Sequence, residues 1–364
     1  IGFTYLFNIS VFIFMIKLLV FNNEKMNKKL FLQFSLIFIW ELLLIFKAGV
    51  INESILSLVS WVSSYIILII LSKKDDIKFT TIYKYFFLGF LFAFICGWST
   101  PIKEWGIANI PTAYRFIGLL RDPNYYTVDA LLLIFGSFIY VALSGKKRNI
   151  YIILSCIMGI CSVSKSFIIL LIFGMLLKII CSLKKINLLK IIVVLFLLIS
   201  CIFVFYKLGY IELFFEKYLY RSETTSLFTG RDKLFTYFIT CIFNSPLSFL
   251  FGNGALTYPI VLNAGIIDKF FTNFVAHNTY LDIILAWGVL GTLVYFNFIF
   301  NVIKNSKVSL IKTKYDFDCK ITITVFLVSL FTLSYLTTDV FALIILYMII
   351  MVKSVKKSQK KLEE

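Results

Sequence analysis

The chain has 364 residues, 60% of them hydrophobic and 41 of them Phe, with a mean hydropathy of +0.93 and a formal net charge of +17. That composition excludes a soluble core, and its apolar stretches repeatedly approach the ~20 residues that cross a bilayer, so the chain reads as a polytopic helical membrane protein. Lipid offers no partner for backbone N–H and C=O groups, so the apolar runs are helices and the fold class is all-α.

Eleven apolar runs follow in chain order, at about 1–21, 30–46, 55–71, 80–96, 124–144, 150–162, 166–183, 188–206, 278–302, 321–335 and 339–352. Residues 1–206 thus hold transmembrane helices 1–8 with a polar loop at 97–123, residues 207–277 form a large loop, 278–352 hold helices 9–11, and 353–364 are a basic tail. The loops sort by charge. One side carries Lys25, Lys28 and Lys29, then Lys73, Lys74 and Lys78, Lys146 to Arg148, Lys184, Lys185 and Lys190, the lysines of 303–320 and those of the tail. With the helix-end lysines Lys17, Lys84 and Lys178, that side has 25 basic against 7 acidic residues, and the other has 11 against 12. The basic side is cytoplasmic by the positive-inside rule, so loops 97–123 and 207–277 face outward. The first run then enters from outside, which predicts a further helix before Ile1 and about twelve spans in the complete protein. Topology accounts for the whole basic excess, and no nucleic acid partner is implied.

The seven cysteines, Cys96, Cys156, Cys161, Cys181, Cys201, Cys241 and Cys319, are scattered without CxxC or metal spacing, so neither a metal site nor a disulfide framework is expected. No phosphate-binding glycine motif is present, no cofactor is implied, and an ATP-driven pump is disfavoured.

The arginines carry the first functional signal. There are 31 Lys and only 5 Arg, yet Arg115, Arg121, Arg221 and Arg231 all fall on the outward side. A guanidinium presents a planar fork of donors that matches phosphate or carboxylate, which the lysine ammonium does not, so the pattern points to an outward-facing anionic ligand. For Arg121 and Arg221 the alternative is a plain interfacial anchor or a partner for Asp122, Glu223 or Asp232.

In the first outward loop, Asp122-Pro123-Asn124 predicts a helix start, with Pro123 in its first turn and Asp122 or Asn124 serving its end. Such a start presents free N–H groups to an anion. Asp129, about a turn further in, is an acid at membrane depth and serves either function or helix pairing. In the second loop an amphipathic helix is expected from Asp232 to Phe243, preceded by Gly230 and broken at Asn244-Ser245-Pro246. Its Leu234, Phe235, Phe238, Ile239 and Ile242 would lie at the outer interface and set Arg231 at headgroup level. Gly252-Asn253-Gly254 permits a tight turn. His277, the only histidine, ends the loop, either as a reactive group or as a hydrogen-bonded residue at a helix start, and Asn278 reads as the helix cap.

Arg115-x-x-Gly118, Asp122-Pro123-Asn124, Gly230-Arg231, Pro246-Leu247 with Gly252-x-Gly254, His277-Asn278-x-Tyr280-Leu281 and Gly288-x-x-Gly291 occur in that order. Together, over about residues 115–291, they resemble the O-antigen ligase and polymerase superfamily, the polytopic Wzy and WaaL proteins. The resemblance implies a metal-independent, inverting glycosyltransferase of GT-C type. It would move a glycan from undecaprenyl diphosphate to an acceptor sugar at the outer face of the cytoplasmic membrane. It implies His277 as the group acting on the acceptor hydroxyl, Arg115 and Arg231 on the leaving diphosphate, and Arg121, Arg221, Lys165, Asn278, Asp122 and Asn124 as substrate-binding residues. Implied partners are the lipid-linked oligosaccharide, membrane lipid, a chain-length regulator and a flippase. Two positions depart from the family pattern: Ala286 stands where members often carry an acid, and Lys165 where an arginine is expected.

The Lys/Ile/Phe/Asn-rich composition favours a repeat-unit polymerase for a surface polysaccharide, with a ligase acting on lipid A core as the alternative. A flippase or other secondary transporter is the alternative of another class. It would place several ionisable groups near the midplane, whereas Asp129 and Lys165 lie toward the outer ends of their runs.

Overall fold

A computed structural model describes residues 2–21, 26–49, 51–97, 102–103, 114–115, 123–145, 149–162, 164–182, 231–257, 276–306, 316–335 and 340–363. Run 188–206 and the candidate residues Arg121, Asp122 and Arg221 lie outside them. The described chain is helical, apart from turns, irregular connections and one two-residue antiparallel pairing of Ile102–Lys103 (β1) with Tyr114–Arg115 (β2).

Each apolar run among the described residues holds a helix, and two further helices lie in the loop at 207–277. The helices are α1 Gly2–Ile16, continued by a π-helical turn Lys17–Phe21, then α2 Lys28–Ala48, α3 Ile51–Leu71, α4 Phe79–Gly97, α5 Pro123–Ser144, α6 Asn149–Cys161 and α7 Lys165–Ser182. Then come α8 Arg231–Asn244, α9 Pro246–Phe251, α10 Thr279–Asn305, α11 Asp316–Ser329 and α12 Val340–Glu363. Among the described residues, 5 helices are long and apolar enough to cross a membrane: Lys28–Ala48, Ser54–Leu71, Phe79–Gly97, Asn124–Ser144 and Thr279–Asn305.

Ends are set by local chemistry. Asn27 caps α2 by accepting from the N–H groups of Lys29 and Leu30, and Gly49, at φ 70, closes its other end with its N–H on the carbonyls of Ile45 and Phe46. Pro123 opens α5 and Pro246 opens α9, where a missing N–H costs nothing.

Two apolar runs fold differently from a continuous span. The run at 278–302 contains a break, because Gly288 has φ 63 and ψ −171 inside α10. The run at 321–335 stops being helical after Ser329, and residues 330–335 are irregular. The tail instead prolongs α12 to Glu363, since its Lys, Ser, Gln and Leu include no Gly or Pro to end a helix.

The chain divides into two compact units. The first comprises Ile1–Ile82, Arg231–Thr313 and Leu330–Glu364. In it α2 packs on α3 and α10, while α1 and α12 pack on α3. Its centre is aromatic: Phe34 of α2, Trp61 and Tyr65 of α3, and Trp287, Tyr295 and Phe298 of α10 are all buried. Trp61 and Tyr65 lie 4.8 Å apart by ring centroids, Trp287 and Tyr295 4.7 Å, and the hydroxyls of Tyr65 and Tyr295 are hydrogen-bonded at 2.7 Å.

The second unit comprises Tyr83–Gly230 and Lys314–Ser329, with α5 packed against α6, α7 and α11. Tyr83 stacks on Tyr140 at 4.6 Å and donates to the Leu133 carbonyl at 3.0 Å. Lys178 of α7 is ion-paired with Asp318 of α11 and lies 3.6 Å from the centre of the Phe138 ring.

Candidate functional site

Of the described candidates, Arg231, His277 and Asn278 belong to the first unit, and Arg115, Asn124 and Lys165 to the second. In the first unit, Asn278 caps α10, its side-chain oxygen accepting from the Leu281 N–H at 3.1 Å. The cap expected from the sequence is the one that forms. His277 precedes it in the left-handed region at φ 50, the only non-glycine residue with positive φ among those described. Histidine tolerates that region better than most residues, but such a backbone persists only where its surroundings fix it. His277 is half-buried, next to the buried Ala276 and Asn278.

Arg231 is the first residue of α8, so the start expected after Gly230 is present. The apolar face of α8 is divided between protein and surroundings. Leu234, Phe238 and Ile242 recur every four residues and are buried, with α8 packed on α9 and α10, whereas Phe235 and Phe243 are exposed. The sequence placed the first three at the interface. They face protein because α9 and α10 supply a partner surface for that stripe.

The segment after α9 has a larger task than the generic turn read from its glycines. The break at Gly288 takes the carbonyls of Leu285 and Ala286 out of their helical bonds, and they accept instead from Asn253 N–H at 2.9 Å and Gly254 N–H at 2.7 Å. Gly252 has φ 77, and a Cβ there would lie 2.3 Å from the Ala286 carbonyl oxygen, while one on Gly288 would lie 2.4 Å from the Leu250 carbonyl. Only two glycines allow the backbones to approach this closely.

Glu41 completes that junction. It lies within the apolar run of α2 and is 0% exposed. Its carboxylate accepts from Ala255 N–H at 2.8 Å, Leu256 N–H at 2.9 Å and the Trp287 indole N–H at 2.9 Å. Trp40, its neighbour, donates to the Phe251 carbonyl at 3.0 Å. Two adjacent residues of α2 therefore hold both the end of α9 and the loop that caps the broken helix. Sequence reasoning missed Glu41. Its signal was an acid inside an apolar run, which at membrane depth needs donors from elsewhere in the protein.

In the second unit the starts of two helices meet. Ser164, just before α7, donates to the Asn124 side chain at 3.0 Å, and Ser162 is bonded to Thr127 of α5 at 3.0 Å. Ser164 and Ser166 are 2.7 Å apart at their hydroxyls, and Lys165 between them is the first residue of α7. Asn124 and the Ser162–Ser166 loop, separate in the sequence, thus form one polar patch beside the first turns of α5 and α7. Arg115 lies in β2, opposite Ile102 of β1. Asp129 is half-buried in α5, one turn beyond Tyr125.

Among the described residues no group of three or more His, Cys, Asp or Glu is arranged to hold a metal ion. The sequence matches no protein-family model and no curated protein. Function is therefore inferred from the residues of the chain itself.

Proposed function

We propose that the protein is a polymerase of lipid-linked oligosaccharide repeat units, a metal-independent inverting glycosyltransferase acting at the outer face of the cytoplasmic membrane. The observation that carries this reading is the patch formed by Asn124, Ser164 and Ser166 at the starts of α5 and α7, with Lys165 at the first position of α7. Helix starts offer unpaired N–H groups and a positive dipole end, and a lysine beside them adds a full charge, which suits a diphosphate. The outward bias of the arginines points to the same chemistry.

The acceptor hydroxyl attacks the anomeric carbon of the lipid-linked glycan while the bond from that carbon to the diphosphate oxygen breaks. His277 takes the hydroxyl proton. The electron pair leaves on undecaprenyl diphosphate, whose charge cationic side chains neutralise, a role for which Arg115, Arg231 and Lys165 are the candidates. Configuration at the anomeric carbon is inverted, and the product remains lipid-linked and one repeat longer.

Complementation of a strain lacking the protein, at matched expression, tests this reading. Wild type restores a ladder of polymer lengths, and Arg231→Ala and His277→Ala give single repeats. Normal polymers that are never joined to an acceptor lipid in the null strain would favour a ligase instead. Lipid-linked units trapped on the cytoplasmic face would favour a flippase.

A further inference from the structure

Thr279, two residues after His277, uses its backbone N–H and its hydroxyl to tie down the irregular segment 330–335. Its N–H donates to the Leu330 carbonyl at 2.8 Å. Its hydroxyl donates to the Leu333 carbonyl at 2.5 Å and accepts from the Tyr335 N–H at 2.9 Å. Thr279 is 0% exposed, and Leu330, Leu333 and Tyr335 are at most 3% exposed, so water cannot replace these bonds. The neighbouring Tyr280 packs on Phe331 with ring centroids 4.5 Å apart, which extends the seam. Residues 276–278 are not helical, and His277 has the left-handed backbone noted above. The first firmly bonded point after the histidine is therefore the Asn278 cap and the Thr279 clamp behind it.

We infer that Thr279 is the positioning residue for His277. By bonding three backbone groups of residues 330–335 it fixes where α10 begins, and so where the imidazole is presented to the acceptor hydroxyl. The inference rests on the reading of His277 given under Proposed function. Threonine suits the role because its hydroxyl can donate and accept at once, and valine has the same shape with neither capacity.

The test compares Thr279→Val and Thr279→Ser in the full-length protein, purified in detergent and reconstituted in liposomes. Polymerisation is measured on lipid-linked repeat units extracted from a strain lacking the protein. A displacement on the order of 1 Å costs ~10²-fold in rate, so Thr279→Val is expected to lose about that factor in kcat per folded protein with KM little changed. Thr279→Ser keeps the hydroxyl and is expected to restore kcat to near wild type. Amide exchange at Tyr335 should accelerate in the valine variant and stay slow in the serine variant. If the valine variant does not accumulate, Thr279→Cys, a weaker hydrogen-bonding group, should give a kcat below that of the serine variant with the same KM. A valine or cysteine variant as active as the serine variant, alongside an inactive His277→Ala, overturns the positioning role and leaves the proposed function standing. A fully active His277→Ala overturns the reading of His277, and the inference falls with it whatever the exchange data show.

Discussion

The two helix starts that carry candidate chemistry are built in opposite ways. At the start of α10 the backbone itself is irregular: His277 is left-handed, Thr279 bonds the non-helical segment 330–335, and the helix breaks again at Gly288. At the start of α5 the backbone runs unbroken from Pro123 to Ser144, and the polar contacts are made by side chains of Asn124, Thr127, Ser162 and Ser164. Irregular backbone away from water needs a protein partner for every polar group, so residues around α10 are tied to stability. A regular helix satisfies its own backbone, and the buried side chains at the start of α5 bond to one another, with the half-buried Lys165 beside them. Substitution of Glu41 or Gly288 should therefore damage folding, and substitution of Lys165 binding.

The largest effect is expected at Glu41. Glu41→Ala leaves the N–H groups of Ala255, Leu256 and Trp287 without an acceptor, and should cost about 3 kcal/mol or more. Glu41→Gln is expected to fall short of wild type too, because its amide nitrogen cannot accept from any of the three. Thermal unfolding in detergent checks both, and a wild-type midpoint for Glu41→Ala would break the contrast between the two helix starts.

Gly288→Ala comes next. A Cβ at φ 63 and 2.4 Å from the Leu250 carbonyl forces α9 away from α10, and the expected cost is about 2 kcal/mol, read from the same unfolding midpoints. Asn278→Ala removes a single cap bond at 3.1 Å and should cost about 1 kcal/mol, with Asn278→Asp largely restoring it.

On the α5 side the expected effects are on substrate. Lys165→Ala should leave the unfolding midpoint nearly unchanged and raise KM for the lipid-linked unit about tenfold, the equivalent of roughly 1.4 kcal/mol of binding. Lys165→Arg should keep the affinity. A Lys165→Ala variant that unfolds early with normal KM would reverse the comparison.

Local signals were legible in the sequence. Pro123 marks the start of α5, Asn244-Ser245-Pro246 the end of α8, and Asn278 the cap of α10, because each depends on a residue's own backbone preference or on a bond within one turn. The meeting of Asn124 with Ser164 was not legible, although both segments had been singled out. Nor was the Glu41 junction, whose partners lie 214 to 246 residues away. The break at Gly288 was hidden for a related reason. Its surroundings are as apolar as a continuous span, and the groups that compensate for it, the amides of Asn253 and Gly254, are backbone atoms that any sequence would supply. The end of α11 at Ser329 escaped likewise, since residues 330–335 are apolar and leave the helix to bond with Thr279.

Under the proposed function this chain joins lipid-linked repeat units, and His277 acts in the joining step. The most direct measurement uses purified protein in liposomes supplied only with lipid-linked repeat units, following polymer length and release of undecaprenyl diphosphate together. Wild type is expected to make dimers and longer products with one diphosphate lipid released per bond formed, and His277→Ala to be slower by ~10²-fold or more. Wild-type protein that releases no diphosphate lipid, or a His277→Ala variant that polymerises at the wild-type rate, would contradict the proposed function.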